Sequence, residues 1–390
     1  MRKVGLGLRG NPLQKLGWRL QRQRSNSHGV LRNNRADDGA KGVLFTEGGG
    51  GELFGERERM GKFLKGTWVV RRQCGMQQQA ALKCDLAEHH QHKGVLPELL
   101  RRLGAINEQG MLDRIERDRI AAGGDPSLPR LLIAGPLLDV LGSFSTQIYG
   151  VSNRVALVES PTDACAETAA ILDGGADLIK LAVSGRTDVS WAELSDAELA
   201  AIVATARARG AHVVAHVDRA VALRRAVEQG VSSVAHSPRD RIPDDLIALM
   251  VEREIAMVPT IAVYEGLARE RGNLVEWRRI IQPLLYDNLL RFARAGGTLA
   301  LGDDYGGARE MTIGMPADEI GHWIAAGLTP MQVIVAATSG AARVLELEDE
   351  LGRIAPGLAA DMLVVEGDPL VEIDALVRPV LVLHNGREVR

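Results

Sequence analysis

Apolar and polar positions follow two different patterns along this chain, and the pattern changes near residue 110. From there to about residue 345, stretches with helical periodicity alternate with short, continuous apolar runs. Continuous apolar runs are typical of strands that are buried on both faces of a parallel sheet. The predicted strands are Leu131–Ala134, Asp177–Val183, Val213–His216, Ser232–His236, Ala256–Val263 and Thr298–Leu301.

The stretches between and after these runs have the pattern of amphipathic helices. Ser195 and Glu198 have the spacing of a capping box, and glycines at the helix-to-strand joints are typical of helix C-caps. The alternation predicts an α/β fold, a (β/α)8 TIM-like barrel, and two of its eight strands are expected before Leu131. The predicted helices are Met111–Ala122, Pro161–Asp173, Asp196–Arg209, Arg219–Gln229, Pro243–Glu254, Val275–Ala295, Pro316–Ala326 and Pro330–Leu345.

The two ends of the chain differ from this middle part, residues 81–345. Residues 1–80 show little periodicity, and we interpret them as an atypical basic segment. This segment is either disordered or the product of an unnatural start site or reading frame. Alternatively, it contributes strands such as Thr67–Val70 to another part of the chain. Residues 346–390 contain a predicted strand, Ala360–Val365, and a hairpin turn at Asn385-Gly386. Because these strands are too few to fold alone, they are expected to need partner strands from the N-terminal segment or from the barrel surface.

Charge and composition narrow the classes of partner. Residues 1–80 carry 16 Lys+Arg and 6 Asp+Glu, whereas the whole chain has a net charge of −3. Aromatic residues are sparse in the basic segment, so we expect no nucleic-acid partner. The absence of a secretory signal and of an apolar run near ~20 residues predicts no membrane partner. Three cysteines do not make a disulfide framework, so a cytoplasmic location is expected.

Side chains suited to metal binding lie on or just after four predicted strands. Lys180 lies on one strand, His216 and His236 end two others, and Asp304 follows a fourth. In a TIM barrel the chemistry lies at these strand ends. Each residue alone is explained by ordinary packing, an ion pair or a turn. Burying all of them unpaired would be costly, and one metal would satisfy several at once. Imidazole and carboxylate ligands suit Zn, Mn or Fe.

The same stretches resemble the amidohydrolase superfamily, specifically its imidazolonepropionase/prolidase-like branch. Ala176–Lys180 resembles the strand-4 motif, whose lysine is carboxylated and bridges two metals. Gly210–His216 and Gly230–His236 resemble the strand-5 and strand-6 motifs, each ending in a histidine ligand. Leu299–Asp304 resembles the strand-8 motif, in which Asp304 takes the position of metal ligand and base. Gly352–Gly357 and Ala360-Asp361 resemble the entry to the family's C-terminal β-sandwich, so a small composite β-sandwich domain is expected. The resemblance covers about residues 100–390.

The chain departs from the family pattern in two places. Asp303 stands where the family usually has threonine. The family also has a His-x-His pair at the end of strand 1, and the only His-x-His here is formed by His90 and His92. This pair lies about ten residues before a faint strand-2 match at Leu100–Ala105 and follows no apolar strand. His90 and His92 are therefore candidate metal ligands, with a solvated loop as the alternative.

The resemblance implies a metal-dependent hydrolase of amide-like C–N bonds that uses a metal-activated water. One or two divalent metals, zinc or else Mn or Fe, would be held by Lys180, His216, His236 and Asp304, with Asp304 also the catalytic base. The substrates would be small molecules such as dipeptides or cyclic amides. Three residues that follow predicted strands, Tyr264, Tyr305 and Arg239, are candidates for substrate binding, with ordinary loop positions as the alternative.

Two other functions and one assembly state remain open at this point. Lys180 on an inner strand is also compatible with a Schiff-base barrel lyase. A barrel without the strand-1 pair is compatible with a catalytically impaired relative of the hydrolases. The chain is also compatible with a homo-oligomer, which no motif specifies.

Overall fold

The computed structural model describes residues 132–151, 154–183, 191–304, 311 and 315–388, together with four short strands nearer the N terminus. These residues fall into two units, one drawn from residues 1–72 and 347–390 and the other from residues 73–346. The predicted helix Met111–Ala122, His90, His92 and Tyr305 lie outside the described residues, as does most of the basic segment. The four short strands are β1 (Trp18–Arg22), β2 (Gly29–Asn33), β3 (Lys41–Val43) and β4 (Thr67–Val70).

The larger unit is built on a parallel sheet of six strands. Their order in the sheet is β10-β9-β8-β7-β5-β6, and an isolated parallel bridge between Met257 and Leu299 continues the sheet beyond β10. The sheet confirms the predicted α/β class. Its strands are β5 (Leu137–Asp139), β6 (Val155–Leu157), β7 (Ile179–Ala182), β8 (Val213–His216), β9 (Ser233–Ala235) and β10 (Ala256–Val258).

Helices follow the strands, and most of them lie within one or two residues of their predicted bounds. Ser195 and Glu198 form the predicted capping box at the start of α3. No helix of the described residues is long and apolar enough to cross a membrane. The helices are α1 (Phe144–Tyr149), α2 (Pro161–Asp173), α3 (Asp196–Ala208), α4 (Ala220–Gln229), α5 (Asp244–Glu252), α6 (Ile261–Glu270), α7 (Leu274–Glu276), α8 (Gln282–Arg294), α9 (Ala317–Ala326), α10 (Pro330–Val335) and α11 (Ala341–Val344), with π-helical turns at Trp277–Ile281 and Ala336–Gly340.

Two predicted strands are wrong in their extent. The described part of Leu131–Ala134 is not a strand, because the Ile133 backbone N–H donates to the Asp177 carboxylate (2.8 Å) rather than to a strand carbonyl. The predicted strand Ala256–Val263 ends at Val258. Pro259 has no N–H to donate, and Thr260 turns the chain into α6.

The order of the strands also departs from expectation. A barrel with sequential strands would place β6 between β5 and β7, but β6 lies on the far side of β5, and β5 pairs directly with β7. The sequence pattern did not predict β6 or the short helix α1. Closure of the sheet into an eight-stranded barrel therefore stays a prediction.

The core of this unit is aliphatic and lies between the sheet and its helices. The last sheet segment is held by backbone bonds from Met257 to Thr298 and from Leu301 to Ala336. A side chain at Gly340 would place its Cβ 2.2 Å from the Leu299 carbonyl oxygen. Only glycine therefore lets the π-helical turn approach this segment so closely.

The smaller unit contains two antiparallel sheets, one formed by β1, β2 and β3. In the other, β4 pairs with β11 (Met362–Glu366), which pairs in turn with β12 (Pro379–His384) and then β13 (Arg387–Glu388). The last two strands are joined at Asn385-Gly386, whose φ angles of 49° and 75° suit a tight hairpin turn. A strand of the basic segment thus pairs with the C-terminal strands, while the composite β-sandwich stays a prediction.

Candidate active site

Four candidate residues lie on or just after neighbouring strands of the parallel sheet. His216 is the last residue of β8, His236 follows β9, and Asp304 follows the segment that bridges to β10. Lys180 lies within β7, beside Val214 of β8. Since the carboxyl ends of parallel strands meet at one edge of a sheet, the fold brings these side chains to the same place.

The two histidines are in contact at this edge. Their ring centroids are 4.5 Å apart, with the rings nearly perpendicular. Phe144 of α1 stacks on His216, with centroids 4.4 Å apart and an angle of 17° between the planes. The Nε2 atom of His216 is buried and has no hydrogen-bond partner among the described residues. A buried nitrogen of this kind is costly unless a ligand satisfies it.

His236 is oriented by the side chain that follows the next strand. Its Nδ1 atom is 2.7 Å from the Thr260 hydroxyl oxygen. This bond fixes the ring and leaves Nε2 as the nitrogen that can bind a ligand. Histidines that bind metals in proteins are commonly held in this way by a bond to the other ring nitrogen.

The backbone is strained at three of these strand ends. His236, Thr260 and Asp304 have φ angles of 74°, 49° and 56°, in the left-handed region that favours glycine. For a β-branched residue such as Thr260 this conformation is a real outlier. Strain of this kind persists where surrounding contacts impose it, and it clusters at functional sites.

Burial lowers the pKa of three basic side chains at this edge of the sheet. Loss of solvent lowers the pKa of Lys180 to about 8, although the nearby Asp304 carboxylate acts to raise it. Burial, with Lys180 and Arg239 nearby, lowers the pKa of His216 to about 3. Burial and the same neighbours also lower the pKa of His236 well below its usual value. Both imidazoles are therefore neutral at pH 7, as metal ligands must be.

Whether this donor set fits a divalent metal depends on the chemical form of Lys180. Within the described residues, no three His, Cys, Asp or Glu side chains come together as a metal site. Two neutral imidazoles do meet there, and the buried Nζ of Lys180 has no hydrogen-bond partner in the same part of the chain. As an ammonium, Lys180 would repel a cation. As a carbamate it would supply anionic oxygens, and the residues then fit a metal.

A cavity of about 600 Å³ opens beside the histidine pair and is also lined by Asp304. Arg239 and Asp218 form an ion pair in its wall, with Nη2 and Oδ2 2.5 Å apart. The Nε of Arg239 is buried and has no partner among the described residues. Burial raises the pKa of the Tyr264 hydroxyl, whose oxygen lies 3.5 Å from the Ser237 carbonyl oxygen. The wall therefore offers donors to an acceptor group of a ligand.

Glu319 of α9 holds the start of α6 next to this site. Thr260 is the N-cap residue of α6 but makes no capping bond, since its hydroxyl contacts His236. The Glu319 carboxylate, fully buried, instead accepts bonds from the Ala262 N–H and the Trp323 Nε1, both at 2.7 Å. Burial raises the pKa of Glu319 to about 7.

The two other histidines that the structure describes in the larger unit, His212 and His322, lie apart from this pair. His212 precedes β8, at the opposite end from His216, and its Nδ1 is 3.7 Å from the Glu346 carboxylate. His322 is buried against Glu265 (3.1 Å) and the Tyr286 hydroxyl (2.8 Å).

Sequence reasoning did not assign a role to several residues at the site. Phe144 follows β5, a strand that the sequence pattern did not predict. Nothing in the sequence therefore indicated that Phe144 lies beside His216. Thr260 had no role assigned from the sequence, and only the structure shows its bond to His236. The other lining residues without an assigned role include Asp218, Trp191 and Trp277.

Two sequence relatives cover part of the chain. An uncharacterised protein of Mycobacterium tuberculosis is 33% identical over 203 residues, which are 50% of this chain and 52% of that protein. Ochratoxinase of Aspergillus niger is 30% identical over 224 residues, which are 54% of this chain and 45% of that enzyme. The chain thus spans about half the length of the curated relatives it matches.

Solved structures match a larger share. A Xaa-Pro dipeptidase with methionine bound in its active site superposes with a TM-score of 0.63 and 25% identity, over 72% of both chains. A prolidase in complex with N-methylphosphonate-L-proline superposes with a TM-score of 0.65 over 93% of this chain and 94% of that one. At 21% identity, this second likeness shows a shared fold alone.

The model of the amidohydrolase family matches residues 112–389, well over half of the chain. The matched range includes the lysine, the histidine pair and the aspartate at the edge of the sheet. The dipeptidase likeness, at 25% identity, agrees with this match. The chain belongs to the amidohydrolase family.

Proposed function

We propose that this protein is a metal-dependent hydrolase that cleaves an amide-like C–N bond in a small molecule. The observation that carries the proposal is the pair of buried nitrogen atoms on the neighbouring strands β7 and β8, Lys180 Nζ and His216 Nε2, which have no hydrogen-bond partner among the described residues. Family membership supports it, and so do the activities in the names of the dipeptidase and ochratoxinase relatives.

Lys180 as a carbamate, His216, His236 and Asp304 would hold the metal. A divalent cation bound there would lower the pKa of a water molecule and polarise the substrate carbonyl. The chain supplies what such a site needs from the protein: neutral imidazoles, a His236 ring fixed by Thr260, and surroundings from which solvent is largely excluded.

Asp304 would act as the catalytic base. Its carboxylate lies near enough to Lys180 to oppose the lowering of the Lys180 pKa by burial. It also lines the same cavity as the histidines. In this position it accepts the proton of the attacking water and passes it to the leaving nitrogen, which makes the amine a better leaving group.

Arg239 and Tyr264 would position the substrate. Both line the cavity, and the unpartnered Nε of Arg239 suits an oxygen acceptor such as a carboxylate or carbonyl of the substrate. The Asp218 carboxylate fixes the guanidinium from the other side. Tyr305, which lies outside the described residues, remains a further candidate from the sequence.

The first experiment measures metal per chain by elemental analysis of full-length protein purified without chelators, before and after incubation with Zn²⁺ and bicarbonate. We expect one or two divalent ions, zinc, manganese or iron. ¹³C-bicarbonate should also give a carbamate signal by ¹³C NMR that is absent in the Lys180→Met variant. If no metal is taken up with zinc and bicarbonate, the proposal is wrong.

The number of ions also tests His90 and His92. Two ions per chain would require more ligands than the strand-end residues described above, and substitution of His90 and His92 by Asn should then remove one of them. One ion that survives this substitution would assign both histidines to a role outside the metal site. A screen of dipeptides, cyclic amides and lactones should accompany the measurement.

A Schiff-base lyase remains the second candidate, because a buried amine with a lowered pKa is also what that chemistry needs. Borohydride treatment with an aldehyde or ketone substrate would leave a permanent adduct on Lys180, detectable by mass spectrometry. An adduct together with no metal uptake would favour the lyase over the hydrolase.

A further inference from the structure

Aromatic side chains are concentrated at the cavity beside the histidine pair. The structure describes eight Phe, Tyr and Trp residues between positions 132 and 388. Three of them, Tyr286, Phe292 and Trp323, do not line this cavity, and the core of the unit is built mainly from aliphatic residues. The five that line it are Phe144, Tyr149, Trp191, Tyr264 and Trp277. Trp277 is 3% exposed and belongs to the core, but the other four are not buried, so packing of the core does not account for their placement.

Four of these rings, all except Tyr149, form a continuous row with the histidine pair between them. On one side, Trp191 lies 6.1 Å from Phe144, which stacks on His216. On the other side, Tyr264 lies 6.2 Å from His236 and stacks on Trp277, with centroids 6.4 Å apart and 23° between the planes. A carbonyl group placed at the histidine pair would thus have aromatic surface on both sides.

Part of this surface is accessible to a ligand. Phe144, Trp191 and Tyr264 are half-buried rather than enclosed. Beside them, Ile148 and Tyr149 of α1 are 56% and 41% exposed. Apolar and aromatic groups left open in a concave wall are typical of ligand sites, since a bound apolar group would remove them from water. Ring pairs gain further energy when offset-stacked or edge-to-face.

We propose that the substrate is an amide that carries an aromatic ring next to the scissile bond, so that the ring packs against the walls formed by Phe144 and Trp191 or by Tyr264 and Trp277. This inference rests on the proposed function, since it places the scissile carbonyl at the histidine pair. It adds the class of substrate: N-acylated aromatic amino acids or amides of aromatic acids, in preference to small aliphatic peptides.

The test compares two ligands that differ only in ring saturation, N-acetyl-L-phenylalanine and N-acetyl-L-cyclohexylalanine. The saturated ring is at least as apolar, so burial alone would favour it. Stacking favours phenylalanine, and we expect the phenyl compound to bind about two- to tenfold more tightly. Calorimetry on the zinc-loaded Asp304→Asn variant measures binding without turnover. Equal binding, or tighter binding of the cyclohexyl compound, would overturn the proposal.

Two variants and a matched control locate the ring. Trp191→Leu and Tyr264→Leu each remove a ring from one wall, and at least one of them should abolish the preference for the phenyl compound. Tyr286→Leu removes an aromatic side chain that does not line the cavity, and it should leave the preference unchanged. If all three variants keep the preference, the ring binds elsewhere. Circular dichroism and metal content verify that each variant is folded and loaded.

Failure of this proposal can be told apart from failure of the proposed function. Hydrolysis of aliphatic and aromatic amides with equal kcat/KM would leave the hydrolase in place and remove the aromatic preference. If the metal-loaded wild-type chain binds the phenyl compound more tightly but hydrolyses no amide, the aromatic preference would stand and the proposed hydrolase function would fail.

Discussion

Both ends of the parallel sheet contain turns with a positive φ, but different types of residue occupy these turns. At the end where strands begin, turns that need a positive φ mostly have glycine, as at Gly210, Gly230 and Gly296 with φ of 70°, 80° and 83°. At the end where strands finish, the same region of φ is taken by His236, Thr260 and Asp304. Glycine adopts this conformation without steric strain, whereas for other residues the conformation is destabilising by about 1–2 kcal/mol each.

The difference indicates where the fold is optimised for stability and where it is not. The first end mostly uses the residue that adopts a positive φ without strain, with Glu254 (φ 56°) as an exception. The other end keeps side chains that strain the backbone at three positions. Buried nitrogens without partners among the described residues occur at both ends, His212 Nε2 at the first and Lys180 Nζ and His216 Nε2 near the second. A protein tolerates such costs when the side chains are needed for another purpose, which here is the proposed chemistry.

The largest expected difference between the ends involves the two histidines that flank β8. His216→Asn should remove a metal ligand and lower kcat/KM about a thousandfold, while the cation content falls in elemental analysis. His212→Asn should leave metal content and kcat/KM near wild type. It should cost about 1 kcal/mol of unfolding free energy, because it breaks the contact with Glu346.

Elemental analysis, steady-state kinetics and urea unfolding of both variants make this comparison. The idea that the two ends have different tasks would be lost if His212→Asn abolished activity in a folded protein, or if His216→Asn kept its metal and its rate.

The second prediction concerns Glu319, whose raised pKa makes stability depend on pH. The carboxyl has an ordinary pKa of 4.5 when unfolded and about 7 when folded, so the folded state binds more protons between these values. Its contribution is therefore fully present below about pH 4.5 and is lost as pH rises through 7. Relative to Glu319→Gln, the wild-type protein should lose on the order of 2–3 kcal/mol between pH 5 and pH 8.

Urea unfolding of both proteins at several pH values measures this slope. The N–H groups of Ala262 and Trp323 donate to the same carboxylate and favour its charged form. If these bonds outweigh burial, the wild-type protein would gain or keep stability relative to the variant over this range, which would reverse the sign of the prediction.

The third prediction concerns the hydroxyl of Thr260 as a positioning group for His236. Thr260→Val keeps the branched shape but removes the oxygen that lies 2.7 Å from His236 Nδ1. We expect a 10- to 100-fold loss of metal affinity or kcat/KM. Thr260→Ser keeps the hydroxyl and should stay near wild type. Equal loss in both variants would assign Thr260 a role in packing alone.

The sequence predicted the ligand candidates better than it predicted the contacts that hold them. His216, His236 and Asp304 could be found because they end or follow parallel strands, whose last residues meet at one edge of the sheet. Lys180 could be found because it is a charged residue within the apolar run of β7. The helices α2 to α5 were found for a similar reason, since 3.6-residue periodicity and caps such as Ser195 are local signals.

What the sequence could not predict depends on contacts between distant residues. Glu319 reaches α6 across 57 positions, and no local pattern links a glutamate on one helix to the first turn of another. The edge position of β6 and the stacking of Phe144 on His216 depend in the same way on tertiary structure. The described part of Leu131–Ala134 is not the predicted strand, because the Ile133 N–H donates to the Asp177 carboxylate and not to the carbonyl of a neighbouring strand.

The smallest expected effect tests the end of the sheet that uses glycine. Gly210 has a φ of 70°, and a Cβ added there would meet no atom within 4 Å. Gly210→Ala therefore introduces backbone strain without a clash and should lower the free energy of unfolding by about 1–2 kcal/mol. Metal content and kcat/KM should not change, because the turn lies at the opposite end of β8 from His216. Loss of activity without loss of stability would show that the two ends are coupled, and the division of tasks between them would then fail.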